Sequence, residues 1–138
     1  MRMGAWGSGP FENDDAADWA YEFDDAEDHG VLRDAFEAVL AESGYLDSRE
    51  GANAVAAAAV TAAAIDGDAS GLSEDVVAYL GRAGRPDADS IDLALRALER
   101  VGKDGELAEL WDETDDPSWR ANLASLRDRL AAGQRSTD

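Results

Sequence analysis

Two carboxylates four residues apart, Asp14 and Asp18, stand beside Asn13 near the start of the chain. On a helix this spacing puts both on one face. Such a pair can hold a divalent cation or divide acid and base work between its members. No histidine or activated nucleophile is near them in sequence, and a structural purpose explains the same letters. Asn13 is a good N-cap, and Asp14 and Asp15 sit where the positive end of a helix favours negative charge. Gly4, Gly7 and Gly9 permit close backbone approach, while Trp6, Phe11 and Trp19 can plug into a core or grip a partner. The candidate binding residues are therefore Trp6, Phe11, Asn13, Asp14, Asp18 and Trp19. The reading preferred here is a structural lock, an arm laid across the helices with Asn13 capping the first one. The alternative is a pocket lined by Asn13 and the two carboxylates.

A second set of oxygen ligands lies at Asp66, Asp68 and Ser70, followed by Gly71. These match positions one, three, five and six of a calcium loop, but Val77 stands where the bidentate glutamate belongs. Glu74, at position nine, is the one later carboxylate in register. A turn followed by a Ser73 cap explains these residues without metal, so Asp66, Asp68, Ser70 and Glu74 are weak calcium candidates. The single histidine, His29, is expected at a helix end, stabilised there by the dipole and neighbouring acids. Phosphate-binding loops and nucleophile elbows are absent from the sequence. No catalytic residue is assigned and no cofactor is expected.

The elements that must position these groups read as helices. After an arm over 1–12, the spacing of Ala16, Trp19, Ala20 and Phe23 predicts a helix from Asn13 to about Phe23. Leu32, Ala35, Phe36, Val39 and Leu40 share a face of a second, from about Val31 to Ser43, with Gly44 as its stop. Asp47 and Glu50 have capping spacing for a third, apolar on nearly every side from Ala52 to Ile65, as expected of a helix surrounded by others. Val76, Val77 and Leu80 mark a fourth helix, capped by Ser73 and ended by Gly81 and Gly84. Pro86 and Asp87 lead into a fifth, where Ile91, Ala94, Leu95, Leu98 and Val101 form a stripe closed by Gly102. A short segment carries Leu107, Leu110 and Trp111. Asp116 and Pro117 then start a helix bearing Trp119, Leu123, Leu126 and Leu130, with fraying expected from Gly133 and a frayed tail over 134–138. No strand pattern is found. The expectation is an all-α single domain over 1–138, a bundle of about six to seven helices around a central alanine-rich helix, with the Gly/Trp-rich arm packed on it.

Composition narrows the functions. The chain has 138 residues, 31 acidic against 12 basic, and a net charge of −19, which argues against direct contact with nucleic-acid phosphates or an anionic membrane. Cysteine is absent, which excludes disulfides, zinc–thiolate sites and thiol nucleophiles. The longest apolar stretch falls short of the ~20 residues that span a bilayer. With no signal peptide in view, a cytoplasmic location is expected. The acidity fits solubility or a salty cytoplasm; the sharper alternative is mimicry of nucleic acid or docking on a basic partner.

The stretch from Gly4 to Trp19, with its Gly-x-Trp-Gly-x-Gly-x-Phe-x-Asn-Asp pattern, resembles the bacterial domain-of-unknown-function 4259 family. Leu107 to Trp111 and the Trp119, Leu123, Leu126, Arg127 pattern are similar to that family's C-terminal half, while the middle matches only in its alanine-rich helical character. Such proteins typically start at the methionine that is Met3 here, so Met1 and Arg2 depart from the pattern. The resemblance implies a prokaryotic helical protein and carries over no activity or catalytic residues. Together these readings favour a non-catalytic protein-interaction module, in the manner of an immunity or accessory factor, whose partner is another protein. The alternative is a small carboxylate-based metal-binding or hydrolase-like protein using Asp14, Asp15 and Asp18.

Overall fold

The described helices are arranged around one alanine-rich helix. The computed structural model describes residues 29–42, 44–68, 72, 74–103, 105–113 and 117–137. The helices among them are α1 (Gly30–Ala41), α2 (Ser48–Asp66), α3 (Glu74–Ala83), α4 (Ala88–Lys103), α5 (Glu106–Glu113) and α6 (Ser118–Thr137). No strand occurs among the described residues, so the chain is an all-α bundle as its periodicity requires. The arm over 1–12 and the helix expected from Asn13 lie outside the described residues.

α2 begins where its sequence says it should, because Asp47 Oδ1 accepts a hydrogen bond from the Glu50 N–H at 2.8 Å. From Gly51 to Ala63 every residue except Asn53 is buried. Each of the other five helices packs against it. Alanine makes this possible, since a methyl side chain lets several neighbours approach one helix at once. Larger apolar groups from the surrounding helices complete the core, among them Phe36, Leu46, Tyr79, Ile91, Leu98 and Leu130. The Trp111 and Trp119 rings stack with centroids 6.3 Å apart, joining α5 to α6.

α1 and α4 run parallel. Near their starts Arg33 Nη1 donates to Ser90 Oγ at 3.5 Å; past the end of α1, Arg100 Nη2 donates to the Gly44 carbonyl at 2.8 Å. α6 lies antiparallel to α4, its Arg120 Nη1 donating to the Gly102 carbonyl at 2.9 Å and its later residues lying beside Asp92 and Leu95.

Several expected boundaries move. α1 stops at Ala41, and Gly44 serves as an ordinary loop residue whose N–H donates to Glu42 Oε1 at 2.8 Å. His29 is the N-cap of α1 and makes no side-chain cap bond there. In α3 the buried pair is Val76 and Tyr79, while Val77 is 47% exposed and Gly81 sits inside the helix. Gly102 likewise lies within α4, and the turn falls at Gly105 (φ +115°). A Cβ there would meet Leu46 Cβ and its carbonyl oxygen at 3.0 Å, so the site favours glycine twice over. The next residue secures the corner: the Glu106 N–H donates to the Leu46 carbonyl and Glu106 Oε1 accepts from the Ser48 N–H, both at 2.8 Å. α6 continues through Gly133 to Thr137, and Gly133 is buried. Its missing side chain makes room for Ile65, whose Cγ2 would lie 2.6 Å from an added Cβ.

Candidate functional site

Of the residues singled out for chemistry, Trp6, Phe11, Asn13, Asp14, Asp18, Trp19 and Ser70 lie outside the described residues. The remaining calcium candidates are placed. Asp66 ends α2, and its carboxylate holds the Arg129 guanidinium of α6 through two bonds, Nε to Oδ2 at 2.7 Å and Nη2 to Oδ1 at 2.8 Å. The Asp68 N–H also donates to Asp66 Oδ1 at 2.9 Å, and the Asp68 carbonyl accepts from Arg129 Nη2 at the same distance. Hydrogen bonding to Arg129 holds the Asp66 carboxyl below its ordinary pKa, against a smaller opposing effect of burial. Glu74 is exposed at the start of α3. Among the described residues no three acidic or histidine side chains converge as a metal-holding group.

His29 is gathered into a small polar cluster that sequence spacing did not reveal. Its Nε2 lies 3.0 Å from the Gly84 carbonyl oxygen, which can only accept, so Nε2 carries the proton. Nδ1 is then the acceptor facing the Tyr79 hydroxyl at 3.4 Å, and the two rings meet edge to face. The cluster joins the start of α1 to α3 and the loop after it. Its bonds are structural ones, and no nucleophile stands within it.

A more distinctive surface lies at the corner between α1 and α2, against α5. Tyr45 is 62% exposed and Leu110 41% exposed, two of the three large apolar residues left open to solvent among the described residues. On α5 Glu106, Leu110 and Glu113 fall at i, i+4 and i+7, with Glu109 beside them, so an apolar residue sits among three carboxylates. Partial desolvation, followed by the negative charges of Glu109, Glu106 and Glu113, raises the Tyr45 hydroxyl above its ordinary pKa. That hydroxyl is hydrogen-bonded to the Glu109 carboxylate. The sequence places Leu107, Leu110 and Trp111 together on one short segment; in the structure Leu107 and Trp111 take the inward face of α5 and Leu110 does not. The surface sets an apolar residue and a phenol among three carboxylates.

Among the described residues no helix is long and apolar enough to cross a membrane. No curated protein and no solved structure matches the chain. A family model does: the one described as Domain of unknown function (DUF4259) matches residues 4–122.

Proposed function

Since this chain belongs to the DUF4259 family, whose description names no activity, we propose from its own surface that it is a non-catalytic module that binds a basic protein partner. The observation that carries the reading is the ledge of Tyr45 and Leu110 set among Glu106, Glu109 and Glu113. Exposed tyrosine is enriched at interfaces, where its ring supplies area and its hydroxyl a hydrogen bond. A surrounding ring of carboxylates selects a segment carrying lysine or arginine and steers its approach. The net charge of −19 adds a long-range attraction for such a partner.

The test separates the ledge from bulk charge. A fluorescein-labelled amphipathic peptide of lysine, arginine and leucine is titrated with the full chain and followed by anisotropy. Glu109→Lys with Glu113→Lys should weaken binding at least tenfold, as should Tyr45→Ala to a lesser degree. Glu37→Lys with Asp89→Lys, an equal change in net charge at exposed sites on α1 and α4, should weaken it far less. Equal losses in the two charge variants would show nonspecific attraction and overturn the reading.

A further inference from the structure

A ligand at the Tyr45 ledge meets two chain segments, the loop before α2 that carries Tyr45 and the helix α5 that carries Glu109, Leu110 and Glu113. They are far apart in sequence, so the surface exists only while one is held on the other. Glu106 holds them from both ends of the residue. Its N–H donates to the Leu46 carbonyl at 2.8 Å. Its Oε1 accepts the Ser48 N–H, also at 2.8 Å, across 58 residues of sequence. The Tyr45 hydroxyl on the Glu109 carboxylate is a third link between loop and helix.

The Ser48 amide is the first of α2, one of the N–H groups that a helix leaves without an internal partner. Asp47 satisfies another in the same turn, the Glu50 N–H, at 2.8 Å. The central helix thus starts under two carboxylates, one local and one brought by α5. Of the three carboxylates around Leu110, Glu109 and Glu113 are exposed, whereas Glu106 is half-buried. A partner's cation reaches the first two freely and must compete with the Ser48 amide for the third.

Resting on the reading of the ledge as a binding surface, we propose that Glu106 is its positioning residue, fixing α5 against the Tyr45 loop through the start of α2, and is not a charge that the partner reads. The partner's cations then pair with Glu109 and Glu113, four residues and about 6 Å of helix apart. The ledge is formed before the partner arrives, which lowers the ordering cost of binding.

The lysine, arginine and leucine peptide is titrated by anisotropy against three variants of the full chain. Glu106→Ala and Asp47→Ala each remove one carboxylate and one cap bond of α2, so they match in charge and in capping; only the first releases α5. Glu106→Gln loses the charge but keeps a carbonyl oxygen for the Ser48 N–H. Glu106→Ala should weaken binding about tenfold, the scale of one charge-assisted hydrogen bond. Glu106→Gln should weaken it less than threefold and Asp47→Ala less than twofold. Hydrogen exchange is read on the same proteins without peptide. The Ser48 and residue 106 amides should exchange faster in Glu106→Ala than in Glu106→Gln, and the residue 106 amide should keep its parental rate in Asp47→Ala. Equal weakening by Glu106→Gln and Glu106→Ala would make Glu106 a charge contact, and equal weakening by Asp47→Ala would make the effect general instability. Parental exchange at residue 106 in Glu106→Ala would mean that α5 is seated without the side chain. Each of these overturns the proposal. If the parent bound no peptide, the ledge reading would fall, and exchange alone would decide whether Glu106 seats α5 on the loop.

Discussion

Arg129 gives Asp66 a counter-ion that local sequence does not contain, since 63 residues separate them. Replacing Asp66 by Asn leaves the guanidinium with weaker acceptors and should destabilise the fold at pH 7. The pair is about a third exposed, 26% for Arg129 and 36% for Asp66, so solvent limits the loss to about 1 kcal/mol or less. Because folding lowers the Asp66 pKa, its contribution is complete above the ordinary value of 3.8 and fades as pH falls through the lower folded value. Urea titrations of the two proteins should differ at pH 7 and converge near pH 2; a difference that persists in acid would assign the effect to shape instead of charge. Asp47→Ala, which removes the cap of α2, should cost about 1 kcal/mol, read in the same titrations. These two aspartates show what was legible. The Asp47–Glu50 cap is a local spacing, and the sequence contains both ends of it. For Asp66 the sequence displays the donors of a weak calcium candidate and not its tertiary partner, Arg129. The ledge at Tyr45 and the partners of His29 are not legible for the same reason, their surroundings being α5 in one case and Tyr79 with Gly84 in the other.

Helices were legible by their periodicity, and their contacts only partly so. The all-round apolar pattern of Ala52 to Ile65 identified the central helix, and its burial follows. The point at which α6 crosses it was not readable, because Gly133 matches any chain-terminal glycine until Ile65 is seen against it. Gly133→Ala sets two effects in opposition. Alanine in a helix interior gains about 1 kcal/mol over glycine, whereas forcing a methyl into a filled site costs about 1–3 kcal/mol. Ile65 is β-branched and stiff about χ1, and its Cγ2 and Cδ1 both lie within 2.7 Å of the added atom, so the clash should win. Thermal melting should show Gly133→Ala below the parent, and Ile65→Ala in that background should recover part of the loss. A melting temperature above the parent's would mean that α6 shifts freely on α2.

Across the whole molecule, charges that total −19 repel one another. Raising salt from 0.01 to 0.15 M shortens the screening length from about 30 to 8 Å, so the melting temperature should rise by several degrees; a flat response would mean that the few ion pairs already balance the field. The central position of α2 has a consequence for how the molecule comes apart. α2 touches all five other helices, and α4 packs on both α1 and α6 as extensively, so these helices share one core and do not divide into independent pieces. Loss of α6, with Trp119, Leu123, Leu126 and Leu130, would expose α2 along its length. Unfolding should therefore be one cooperative event, with the slowest-exchanging amides of α1, α4 and α6 all reporting the same opening free energy. In such a molecule any ligand that bound the folded state alone would stabilise every helix at once.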